Sequence, residues 1–148
     1  MFFAEVFSRL STSPLVKLLT LCIAMDVVLG VTRAIKEGKI NSTVGIDGII
    51  RKMAMLVSVA FFAGADVVLG IDIIGWLPTE ALQVFETIGI QAVGICDLFG
   101  LVFVGSEFLS ILKNLLRSGV KIPKGVYDKL YNILDRFTDE LKDFPENQ

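Results

Sequence analysis

The sequence predicts an all-α membrane protein: three transmembrane helices, with a short N-terminal interfacial helix before them and a C-terminal cytoplasmic amphipathic helix after them. Three observations predict it. Hydrophobic residues fill 53% of the 148 positions and charged residues only 20%, with a mean hydropathy of +0.69, which is more apolar than a soluble domain. Residues 15–32, 53–71 and 87–112 are runs long enough to cross a hydrocarbon core, a task that takes ~20 apolar residues at ~1.5 Å rise. Basic residues, finally, alternate between the connecting segments.

The same composition excludes other classes. A formal net charge of -2 and no basic patch with interleaved aromatics argue against nucleic acid as a partner. The chain has no histidine, so a zinc or haem site would lack its commonest ligand. No metal and no cofactor are expected. No nucleophile, base and orienting group come together, so the protein is not expected to be an enzyme. Cys22 and Cys96 each lie inside a hydrophobic run and read as small apolar packing residues, with a disulfide between them left open.

Residues 1–14 form the N-terminal interfacial segment. Phe2 to Leu10 is apolar apart from Glu5 and Arg9 and is too short to span, so it should lie at the interface or pack on the bundle. It lacks the basic start and the small-residue cleavage site of a signal peptide. Pro14 suits the first turn of a helix.

The transmembrane domain follows over residues 15–116. Its first span carries Lys17, whose stem can reach headgroups, and Asp26, which cannot reach water so easily. Residues 33–52 read as a polar, basic connection with turns at Gly38, Gly45 and Gly48. The second span has Asp66 as its only charge, and Ala60 and Gly64 place two small residues on one face. Trp76 is an interface anchor. The third helix should start early, with Thr79 as N-cap and Glu80 in the first turn. It should carry a smooth face of Ala92, Cys96 and Gly100 and two acids, Asp97 and Glu107. DVVLG occurs at Asp26 and again at Asp66; five residues are too few to establish an inverted repeat.

Loop charge orients the spans. The first connection holds five basic residues, residues 72–86 hold none, and the segment after Leu112 holds seven. Three spans with the N-terminus outside and the C-terminus in the cytoplasm satisfy the excess of Lys and Arg on the cytoplasmic side. Asp26 and Glu107 then lie about 10 Å from the cytoplasmic edge, and Asp66 and Asp97 in the outer half, so the acids form two layers. Each acid in the hydrocarbon region is penalised by roughly 2.5–3.5 kcal/mol on insertion scales. They are either satisfied by local hydroxyls, backbone carbonyls or protons and merely fix helix rotation, or they line an aqueous lumen after assembly or set when assembly occurs.

Residues 124–144 form the C-terminal amphipathic helix. Tyr127, Leu130, Leu134, Phe137, Leu141 and Phe144 recur at alternating spacings of 3 and 4, which is an a/d-type seam. That seam could pack on its own chain, lie on headgroups, or pair subunits.

From about Leu18 to Pro123 the chain resembles the small phage-lysis and toxin-secretion holins. The resemblance rests on Asp26, Gly30 and Ala34, on Lys39-Ile40-Asn41-Ser42 with Gly45, and on Gly48-Ile49-Ile50-Arg51-Lys52. It continues through Asp66, Ser106-Glu107-Phe108-Leu109-Ser110-Ile111, Asn114, Gly119, Ile122 and Pro123. The chain departs from the pattern at Ser106, where asparagine is common, and at Lys113, where an acid is frequent. The resemblance implies a protein of the bacterial cytoplasmic membrane that self-associates and opens pores or lesions. Through these a cell-wall-degrading endolysin or a toxin or bacteriocin without a signal peptide leaves, in host cell lysis by phage or in toxin secretion. Its partners would be the lipid bilayer, further copies of itself, and that cargo. A small ion channel or transporter subunit is the competing class, in which the same acids would bind or gate ions.

Overall fold

The structure, a computed structural model, describes residues 1–38 and 42–137. It is all-helical: α1 (Phe2–Thr12), α2 (Pro14–Lys36), α3 (Ser42–Leu69), α4 (Thr79–Thr87), α5 (Ile95–Arg117) and α6 (Lys124–Phe137). Three of these, Pro14–Lys36, Gly45–Leu69 and Ile95–Arg117, are long and apolar enough to cross a membrane.

One residue separates α1 from α2. Ser13 is extended (φ -60°, ψ 119°) because the ring of Pro14 disfavours helical backbone before it. The Ser13 side chain then accepts the Val16 N–H at 3.3 Å and caps α2. This kink folds α1 back onto the bundle, where it lies on α3 and touches α2.

The basic connection is shorter than the sequence suggests. Arg33 and Lys36 belong to the last turn of α2, and Gly38 with φ +62° follows its C-cap Glu37. Gly45, Gly48, Arg51 and Lys52 belong to α3, not to irregular backbone. Glycine costs a helix about 1 kcal/mol against alanine, but Gly45 and Gly48 keep negative φ and the apolar run that follows carries the helix through them. This shift of boundary takes Lys52 out of a solvated loop and into the bundle.

α3 stops at Gly70 (φ +63°), with the Ile71 N–H returning to the Asp66 carbonyl at 3.1 Å. The third apolar stretch is broken where one continuous helix was expected. Pro78, not Thr79, is the N-cap residue of α4, and Gly89 (φ +81°) follows its end. The backbone stays irregular until Gly94 begins α5. Ala92 therefore lies outside the helix and does not share a face with Cys96 and Gly100. The break is held by polar groups: the Ile73 N–H donates to the Val93 carbonyl at 2.7 Å, and the Asp72 carboxylate accepts the Val93 N–H at 3.2 Å.

α5 is the axis of the assembly. α2 and α3 both pack along it, and α6 closes on its C-terminal part. The main core consists of Leu19, Val59, Ala63 and Cys96, ringed by Val6, Leu10, Ile23, Phe62, Phe103 and Val104. Phe62 and Phe99 stack with ring centroids 4.0 Å apart. The outward faces of the spans are also apolar: Leu21, Val28, Val57, Phe61 and Val102 are all exposed. A bundle this apolar on the outside suits lipid or further protein, not water.

A second core joins α5 to α6, with Leu112, Leu116 and Leu134 at its centre and Leu109, Ile122, Tyr127, Leu130 and Tyr131 around them. The first half of the C-terminal seam thus packs on its own chain. Phe137 is exposed, and Leu141 and Phe144 lie outside the described residues.

Candidate functional site

The four acids that the apolar runs carry in the sequence are all buried: Asp26 is 6% exposed, Asp66 3%, Asp97 3% and Glu107 2%. They form two clusters, one at the start of α5 and one along its second half.

In the first cluster Lys52 of α3 reaches between the other two spans. Its Nζ lies 2.7 Å from Asp26 Oδ2 on α2 and 2.5 Å from Glu107 Oε2 on α5. The second oxygen of Asp26 accepts from Asn114 Nδ2 at 2.8 Å, and Asn114 Oδ1 accepts from Arg33 Nη1 at 2.8 Å. Two carboxylates therefore face one ammonium directly and one guanidinium through an amide. Burying a single charge would be far more costly than burying this set, in which each charge has a partner of opposite sign or a hydrogen-bond relay to one.

The second cluster is built on the start of α5. Asp97, in its first turn, accepts Arg9 Nη2 of α1 at 3.1 Å, Ser13 Oγ at 2.5 Å and its own Gly94 N–H at 2.9 Å. Asp66 of α3 accepts the N–H groups of Ile95 and Cys96 at 2.9 and 3.0 Å. The first N–H groups of a helix have no partner within it and carry positive partial charge. Asp66 supplies across the bundle what an N-cap side chain would supply locally. A Cβ at Gly94 would collide with Asp66 and Arg9, so only glycine lets these groups come so close. Shallow clefts of about 260 and 340 Å³ border this cluster, one beside Arg9, Ser13 and Asp97 and the other beside Arg9 and Asp66.

The expected packing residues divide. Cys96 is in the core, and a Cβ at Gly100 would lie 3.7 Å from Leu15, so Gly100 allows α2 to approach α5. Gly64 faces Phe2 of α1, Ala60 is half-buried, and Ala92 is off the helix. Both cysteines are free thiols. Among the described residues, no three His, Cys, Asp or Glu side chains are grouped to hold a metal.

Sequence reasoning missed Lys52, Asn114, Arg33, Arg9 and Ser13. A signal existed for two of them. Lys52, Met55, Val59, Ala63 and Asp66 form one buried stripe on α3, and Gly100, Glu107 and Asn114 form another on α5 at seven-residue spacing. Arg9 and Ser13 act across the kink at Pro14, which no periodicity encodes.

Residues 3–135 match the model of the bacteriophage holin family. The chain belongs to the bacteriophage holin family. It is a membrane protein, and the family is not one of enzymes. The chain is similar to the holin-like protein TcdE of Clostridioides difficile, 36% identical over 134 residues that cover 90% of this chain and 79% of that protein. It is also similar to two uncharacterized Listeria proteins. Lmo0128 of Listeria monocytogenes is 29% identical over 126 residues, 85% of this chain and 75% of its own length. Lin0175 of Listeria innocua is 28% identical over 110 residues, 74% and 64% respectively. No solved structure matches.

Proposed function

We propose that this holin-family protein accumulates in the bacterial cytoplasmic membrane, associates with further copies of itself, and opens lesions through which a cell-wall-degrading enzyme or a toxin or bacteriocin without a signal peptide leaves the cytoplasm. The observation that carries the reading is that each span turns its buried charged groups inward, in two clusters set into the core, and an apolar face outward, within a family of holins. In one copy the polar groups of each cluster satisfy each other. In an assembly, the same Asp26, Lys52, Glu107 and Asn114 on one level and Asp66, Asp97 and Arg9 on the other would supply a hydrophilic lining, while the apolar faces meet lipid or sister copies.

The orientation we propose has the N-terminus outside and the C-terminus in the cytoplasm. Arg33, Lys36 and Arg51 at one end of α2 and α3, and Arg117, Lys121 and Lys124 at the matching end of α5 and the start of α6, support it, against a connection over residues 72–86 without a basic residue. Fusion reporters at each terminus test it.

Inducible expression in bacteria, with and without a signal-less cell-wall hydrolase, tests the activity. Abrupt depolarisation in both cases, and lysis only when the hydrolase is present, is the expected result. Selective ion flux at fixed stoichiometry, with the hydrolase retained, would replace this reading by that of a channel or transporter subunit.

A further inference from the structure

α2 and α3 each pack along α5 and meet little of each other directly. Besides the core that Leu19 shares with Val59 and Ala63, the direct polar tie between them is Lys52. Its ammonium lies against Asp26 on α2 and Glu107 on α5, and it is the one buried lysine or arginine among the described residues, at 8% exposure. Asp26 is held on both oxygens, by Lys52 from α3 and by Asn114 from α5, so this carboxylate is the point at which all three spans meet. Without Lys52, Asp26 and Glu107 would be two buried carboxylates with no direct cation. In a bilayer such groups take up protons or draw in water, and drawing in water requires the helices to part.

We propose that Lys52 is the positioning residue that latches the α2–α3 side of the bundle shut, and that separation of Lys52 from Asp26 is the step that admits water to the interior before lesions open. The second half of this statement rests on the lesion reading above. The first half does not, and it is measured separately.

Two native thiols serve as reporters. Cys22 is buried on α2 one turn before Asp26, and Cys96 is buried at the other end of α5 beside Asp66. The full chain is reconstituted in phosphatidylglycerol and phosphatidylethanolamine vesicles and treated with a small water-soluble maleimide. A C96S background reads Cys22, and a C22S background reads Cys96. K52M is expected to speed Cys22 labelling by about tenfold or more and leave Cys96 labelling as it was. K52R, which keeps the charge, is expected to keep Cys22 protected. In cells, K52M should depolarise the membrane earlier after induction than the wild type. Unchanged Cys22 labelling in K52M overturns the latch. If K52M exposes both cysteines, so that the bundle has come apart as a whole, D26N decides: it removes the α2 side of the pair at constant shape, and a Cys22 that stays protected there overturns the latch, whereas one that opens alone supports it. Faster Cys22 labelling with unaltered depolarisation timing overturns the link to lesion opening. Wild-type cells that hold their potential refute the lesion reading itself, with the labelling still deciding the latch.

Discussion

Replacement of Asp66 by alanine tests whether α5 owes its start to a side chain on another helix. Asp66 accepts two N–H groups of α5, from Ile95 at 2.9 Å and Cys96 at 3.0 Å, and is 3% exposed. Hydrogen bonds to a charged group contribute roughly 1.5–3 kcal/mol each, and a negative charge at a helix N-terminus adds about 0.3–1 kcal/mol. Against this, alanine removes one of two neighbouring buried carboxylates, and water entering from the adjoining clefts can reach the freed N–H groups. The net expected loss is about 3 kcal/mol, or roughly a hundredfold in the unfolding equilibrium. Asp66→Asn keeps an acceptor oxygen without the charge and should lose about half as much. The assay is unfolding of the detergent-solubilised protein by titration with sodium dodecyl sulfate, followed by far-UV circular dichroism. Hydrogen exchange should localise the effect to the amides of Ile95 and Cys96 and spare those near Leu112. An alanine variant with the wild-type midpoint and unchanged protection at those two amides would refute the reasoning.

Gly94→Ala puts a methyl group where Asp66 and Arg9 already lie; the strain should cost about 1–3 kcal/mol in the same titration, where an indifferent surface glycine such as Gly125 would cost little. Leu134 is fully buried against Leu112 and Leu116, so Leu134→Ala should lose ~2–5 kcal/mol from the docking of α6. Limited proteolysis should then cut within α6 while the spans stay intact, and equal resistance to cleavage would contradict the second core. Asp97→Leu strips Arg9, Ser13 and the Gly94 N–H of their shared acceptor. Under the lesion reading it should abolish depolarisation or shift its timing in induced cells, and wild-type timing would remove Asp97 from the proposed lining.

The three spans could be located from the sequence because lipid leaves few options for the backbone: a run of ~20 apolar residues must close its own hydrogen bonds as a helix. The edges were harder to place. Gly45 and Gly48 have the composition of a loop yet lie in α3, since a helix that is already long and apolar continues through glycine at small cost. The reverse holds at residues 88–94, where an apolar composition hides a break. Gly89 turns the chain and Asp72, far back in sequence, holds Val93. A lone glycine in an apolar run is a weak local signal, and the Asp72 contact has none.

The acids show the same division. A carboxylate in an apolar run is conspicuous in any sequence, because its transfer into hydrocarbon is costly, and Asp26, Asp66, Asp97 and Glu107 could be named on that ground alone. Their partners could not be named, since Lys52 and Arg9 stand in segments that read as connection and interface, where a charge needs no explanation. Hydropathy reports the cost of placing one residue at a given depth. The relief of that cost depends on which helix turns toward which, so the pairings exist only once α2 and α3 are set against α5.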